Sequence, residues 1–217
     1  KRGLPLPHGN TIRNRIKKIH PRIAMERREG RNAARDKFSP AAGSFPHATA
    51  PLSVVQIDHT ELNVQVVDEI NRLPIGRAWI TVGIDVHTRM ITGVHVSLDA
   101  PSALSVGACI AISCIEKDAL LEEYKIKGTW PVWGLMAAIH ADNGKDFRST
   151  SIARSCMEHG ISVEWRPCGS PEFGGHIERF MGILATEIRN IPGTTFANIK
   201  EKGTYDSEGK ASLTLRE

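Results

Sequence analysis

Three acidic residues are spaced to do chemistry in this chain of 217 residues: Asp58, Asp142 and Glu178. Asp58 follows the run Val-Val-Gln-Ile. Asp142 follows Ala-Ala-Ile-His-Ala and opens Asp-Asn-Gly-Lys-Asp-Phe. Glu178 lies in Gly-Gly-His-Ile-Glu-Arg-Phe, with thirty-five residues between it and Asp142. Two carboxylates ending strands and a third riding a helix can hold a pair of divalent cations. Such a pair activates one oxygen and stabilises another during phosphodiester exchange. Ligands that are all hard oxygens suit Mg²⁺ or Mn²⁺ better than zinc.

The elements that must position these groups are legible in the apolar pattern. Leu52–Ile57 reads as a buried strand, Ala78–Val86 as a second, and Thr88-Arg89 as the turn into a third at Met90–Leu98. Ser102 caps a small-residue, apolar helix through Asp118. Met136–Ala141 is a fourth strand, Asp146–His159 a helix and Ile161–Arg166 a fifth strand. Ser170-Pro171-Glu172 starts a last helix toward Arg189, with Ile177, Phe180, Met181, Leu184 and Ile188 at helical period. The order βββ-α-β-α-β-α specifies an α/β fold, a mixed five-stranded sheet covered on both faces.

Charge divides the chain. Residues 1–50 hold twelve Lys or Arg against three acids, while the remainder has a net charge of −5. A basic arm on an acidic core fits a polyanion partner, and also fits a solvated leader. Asn10 or Thr11 is placed to cap a helix through Ile12, Ile16 and Ile19, ended by Pro21. Arg13, Arg15, Lys17 and Lys18 on that helix are candidate DNA contacts. Residues 1–22 are expected to be the C-terminal part of a helical DNA-binding domain. Residues 23–50 form a basic, Pro-, Ala- and Gly-rich linker with a short helix near Ala24–Arg35. Residues 51–192 form the core, and 193–217 a polar, flexible tail leading to a further C-terminal region. The chain starts at Lys1 without methionine and is read as part of a longer protein. No apolar run approaches the roughly 20 residues of a membrane span, and no apolar leader follows the basic N-terminus. The four cysteines form no Cys-x-x-Cys pair. Cys109 and Cys114 read as small hydrophobes, consistent with a reduced cytoplasmic protein.

Four motifs in order carry a resemblance: Gln-Ile-Asp58-His-Thr, Gly83-Ile-Asp85 before a Thr-Arg turn, His140-Ala-Asp142-Asn-Gly, and Gly175-His-Ile-Glu178-Arg. Together they resemble the DDE transposase and retroviral integrase superfamily, most closely the bacterial Mu-type transposases of the TniA/TnsB group. The resemblance covers about Pro51 to Pro192. It implies an RNase H-like core with a basic N-terminal helical arm and linker. It also implies a two-metal site on Asp58, Asp142 and Glu178, and cleavage at the element's 3′ end followed by strand transfer into target DNA. It further implies transposon-end and target DNA as partners, homo-multimers on paired ends, and an AAA+ ATPase for target selection, in the bacterial cytoplasm. The alternatives are an RNase H-like structure-specific nuclease and a catalytically inactive DNA-binding module.

Other residues compete for roles. Asp85 rivals Asp58 but reads better as a strand-end or turn residue. Asp146 suits a helix cap, and Glu172 and Glu187 a helix surface. His140 alternates with apolar residues and reads as packed, whereas His59 and His176 stay open between DNA or proton roles and structure. Lys145, Arg148, Arg166 and Arg179 flank the motifs as candidate phosphate contacts. Gly169, Gly174 and Gly175 are placed to form a mobile loop or a tight turn. Trp79, Trp130, Trp133 and Trp165 are expected in or near the core.

Overall fold

The structure is a computed structural model. It describes residues 6–38, 45, 47–142, 149–166, 174–196 and 202–217. The chain divides into two compact units, Lys1–Gly43 and Ser44–Glu217.

The first unit holds three short helices: α1 (Gly9–Lys17), α2 (Pro21–Glu29) and α3 (Arg31–Phe38). His8, not Asn10 or Thr11, caps α1: its Nδ1 accepts from Asn10 N at 3.3 Å. His20 does the same for α2 through Arg22 N, and Pro21 occupies the first turn, where no amide is needed. Pro21 therefore begins a helix as well as bounding the one before it. The single helix expected near Ala24–Arg35 is two, because Gly30 at φ 96° breaks the run.

The second unit is built on strands β1 (Val54–Val67), β2 (Pro74–Asp85), β3 (Ile91–Ser97), β4 (Ala138–Ala141) and β5 (Ser162–Trp165). Their order is β3-β2-β1-β4-β5. The β1–β2 and β2–β3 pairs are antiparallel, and β1–β4 and β4–β5 are parallel. Helices α4 (Ala103–Cys114), α5 (Asp118–Glu123), α6 (Thr150–Glu158) and α7 (Gly175–Ile188) complete it. This is the mixed five-stranded, helix-flanked sheet of an RNase H-like fold.

One face is apolar against α4 and α6: Val55, Ile57, Ile139 and Ala141 meet Val106, Cys109 and Cys156. Helix α4 comes close to the sheet because Gly83 and Gly93 stand opposite each other on β2 and β3. A Cβ on Gly93 would lie 2.9 Å from Ser113 N. The hydroxyl of Ser105 turns back to accept from Ser102 N at 2.9 Å and fixes the start of this helix. It ends at Cys114, short of the expected Asp118, where the separate helix α5 begins. The opposite face carries Ile80, Val82 and Ile84 against Ile177 of α7, with Phe180, Met181 and Leu184 alongside.

Further expectations change with the tertiary structure. Strand β1 does not end near Ile57 but runs on to Val67, held by β2 after its four-residue partner β4 has stopped. Trp133 is 51% exposed rather than in the core. Helix α6 begins at Thr150 with Ser149 at its cap. The expected start at Asp146 lies outside the described residues, as do Lys145, Arg148, Cys168, Gly169 and Ser170-Pro171-Glu172. Beyond α7 the chain returns to β1: Gln65 N donates to Gly193 O at 2.8 Å and Val67 N to Leu213 O at 2.9 Å. Cys109, Cys114 and Cys156 are free thiols, and full burial pushes that of Cys109 up to about 12. No helix among the described residues is long and apolar enough to cross a membrane.

Candidate active site

The site starts from strand register. The β1–β4 pairing ends at Ile57 opposite Ala141, and the β4–β5 pairing at Ala141 opposite Trp165. The next residues along the three strands are Asp58, Asp142 and Arg166. They form one row where the parallel pairing stops, and Arg166 N still donates to Ala141 O at 2.9 Å. Alternate residues of a strand share a face. Gln56 and His140 therefore stand one step behind Asp58 and Asp142, on the face covered by α7.

The third carboxylate arrives on that helix. Glu178 lies in the first turn of α7 and is 53% exposed, against 21% for Asp58. The buried Gln56 fixes where the turn begins: its Oε1 accepts from Ile177 N at 3.3 Å, immediately before Glu178. Asp58 has one oxygen held by its neighbour, His59 N donating to Oδ1 at 2.8 Å. Its other oxygen, Oδ2, faces Arg166 Nη1 at 3.5 Å, and the same Nη1 lies 3.9 Å from Glu178 Oε1.

Arg166 thus lies between two of the three sequence-selected carboxylates, 12% exposed. Among the described residues, no group of three or more His, Cys, Asp or Glu stands close enough to cage a metal ion. The donor chemistry nevertheless fits hard divalent cations. Asp58 and Asp142 start side by side, Glu178 shares the Arg166 guanidinium with Asp58, and one guanidinium cannot neutralise two carboxylates.

Surrounding residues sort by the same geometry. Asp85 is a turn residue: its carboxylate accepts from Leu52 N at 3.1 Å, Thr88 N at 2.9 Å and Thr88 Oγ1 at 2.6 Å. His140 is buried, edge-on to Phe45 with ring centroids 4.9 Å apart. Burial, then the charge of Arg166, lowers its imidazole to about 4, so it is neutral at pH 7. Burial also lowers His176, with help from Arg89. Arg179 is exposed on α7. Arg13, Arg15 and Lys17 are exposed on α1 of the other unit, and Lys18 is exposed just after it.

Sequence reasoning passed over Gln56 and treated Arg166 as one phosphate contact among many. A signal for Gln56 was present: a polar residue two positions before Asp58, inside an apolar strand, must share its face. Nothing local marks Arg166, whose place depends on the register of three strands.

Residues 56–193 match the family model of the TnsB C-terminal domain. The transposase of transposon Tn552 from Staphylococcus aureus is 28% identical over 170 residues, 73% of this chain and 33% of that protein. The Tn7 transposition protein TnsB of Escherichia coli is 29% identical over 176 residues, 78% of this chain and 25% of TnsB. The chain therefore spans about a third or less of these relatives. The catalytic core domain of BIV integrase overlays at a TM-score of 0.40 with 20% identity, covering 75% of this chain and 80% of that one. The family rests on the sequence matches: the chain belongs to the TnsB C-terminal domain family, within the DDE transposase and integrase superfamily.

Proposed function

We propose that residues 51–192 are the catalytic core of a Mu-type DNA transposase, in which Asp58, Asp142 and Glu178 bind two Mg²⁺ or Mn²⁺ ions. The observation that carries this reading is the row of Asp58 and Asp142 at the end of the β1–β4 pairing, with Glu178, in the first turn of α7, facing the same Arg166 guanidinium as Asp58. When bound, the two ions would polarise the attacking and leaving oxygens of a phosphodiester. The protein's own part is placement. The β1–β4 register sets the two aspartates, and Gln56 sets the first turn of α7. The neutral His140 behind them adds no charge to the site. In the first step water cleaves at the 3′ end of the element. In the second the freed 3′-OH attacks a target phosphodiester, whose P–O3′ bond breaks and releases the target's own 3′-OH, and no covalent enzyme intermediate forms.

Residues 1–22 would bind transposon-end DNA through Arg13, Arg15, Lys17 and Lys18, with Arg179 and the undescribed Lys145 and Arg148 as further phosphate contacts. The matched relatives are a transposase and a transposition protein of bacteria, which supports transposon DNA as the substrate class; a bacterial cytoplasmic location is part of the proposal. Assembly of several copies on paired ends, with an AAA+ partner choosing the target, completes the proposal.

The test is strand transfer by the full chain, with pre-cut element-end DNA and Mg²⁺ or Mn²⁺. Asp58→Asn, Asp142→Asn and Glu178→Gln should each abolish joining while DNA binding persists. Joining retained in any one variant removes that residue from the site. Cleavage without joining in the unaltered chain would favour a structure-specific nuclease. Binding with neither reaction would favour an inactive DNA-binding module.

A further inference from the structure

We propose that Arg166 is an exchangeable counter-ion. It occupies the space between Asp58 and Glu178 when no metal is bound, and must give up both carboxylates when metal loads. This deepens the metal-site reading above and rests on it.

Four observations support the assignment. The guanidinium is almost enclosed, so it is a fitted part of the site and not a surface charge crossing it. One nitrogen, Nη1, faces both acids, which come from elements far apart in sequence: Asp58 on β1 and Glu178 on α7. Both separations, 3.5 and 3.9 Å, exceed hydrogen-bond length. The attraction is therefore mainly Coulombic and is open to replacement by a stronger cation. Finally, room for the group is built into the backbone: a Cβ on Gly174 would lie 2.8 Å from Arg166 Nη1 and 3.2 Å from its Cζ, and would overlap the Glu178 carboxylate. Glycine at 174 leaves open the pocket in which arginine and glutamate meet.

The chemical consequence is competition. Without a cation between them, Asp58 and Glu178 would repel one another across a partly enclosed space. Arg166 removes that repulsion, and by the same charge disfavours a metal ion. A divalent cation brings two charges in place of one and accepts direct oxygen ligation, so it can displace the guanidinium. Arg166 is a positioning residue in this scheme: it acts on the reaction through the two acids.

The test is Mn²⁺ binding to the full chain without DNA, read from the free-Mn²⁺ electron paramagnetic resonance signal. Thermal unfolding of each variant serves as a control for folding. Arg166→Ala and Arg166→Gln should bind Mn²⁺ about tenfold more tightly than the unaltered chain, the effect of roughly one pKa-sized interaction. Arg166→Lys, which keeps the charge, should stay within about twofold of it. Unchanged or weaker binding in both neutral variants would overturn the proposal and make Arg166 an orienting or DNA-contacting group. The underlying reading is checked separately by Asp58→Asn. If that variant binds Mn²⁺ as well as the unaltered chain does, the carboxylates are not the ligands, and both readings fall.

Discussion

The most direct test of how this site is held is Gln56→Leu. Leucine has nearly the volume of glutamine and leaves no cavity, so the change removes polar contact without removing bulk. Gln56 is fully buried, and its Oε1 accepts from Ile177 N at 3.3 Å, joining β1 to the first turn of α7. Amides of a helix's first turn have no partner within the helix. Leucine at 56 would leave the Ile177 N–H buried with no acceptor, at a cost of about 1–3 kcal/mol. For a chain of this size each kcal/mol moves Tm by about 2–4 °C, so a fall of roughly 2–12 °C is expected. The helix itself should stay docked. Ile177 is fully buried among Ile80, Val82 and Ile84, and burying such a side chain contributes about 1.5–3 kcal/mol. The defect should therefore concentrate in the first turn, at Glu178. Thermal unfolding and single-turnover strand transfer would be measured together. The expected result is a lowered Tm and a slower joining step, with DNA affinity unchanged. A Tm within 1 °C of the unaltered chain would refute the reasoning. It would mean that apolar packing alone fixes the turn.

Two other changes separate structural from chemical roles. Asp85→Ala removes a buried carboxylate that accepts from Leu52 N, Thr88 N and Thr88 Oγ1 at the start of an exposed turn. It should lower stability by about 2–4 kcal/mol in urea unfolding, while joining activity per folded molecule is kept; loss of activity at full folding would return Asp85 to the site. For His140, the native imidazole is held at about 4 against 6.5 when exposed, so above pH 6.5 both states are neutral and stability is flat. As pH falls from 6.5 toward 4 only the unfolded chain takes the proton, and stability drops by up to about 1.4 kcal/mol per pH unit. Tm measured from pH 7 to 4.5 should fall less steeply in His140→Gln, and equal slopes would show that another group controls the decline.

The order of core elements was legible in the residue pattern, and three carboxylates stood out in it as candidates. The reason is local: apolar residues recur at period two in strands and near 3.6 in α7, and Ile177, Phe180, Met181 and Leu184 have only one face to offer. Other features depended on contacts between distant segments. Val54–Val67 continues past Asp58 because β2 pairs with it where β4 has ended, and β4's length is not a property of β1's residues. The caps made by His8 and His20 are local contacts, two residues apart, but histidine is not among the residue types that mark a helix start. The meeting of Gln56 with Ile177 spans 121 positions. Arg166 reaches Asp58 and Glu178 only after two parallel registers and a helix docking have been set. Side-chain type fixes what a residue can do. The residue it does it to is fixed by strand register and helix placement, which are properties of the whole sheet.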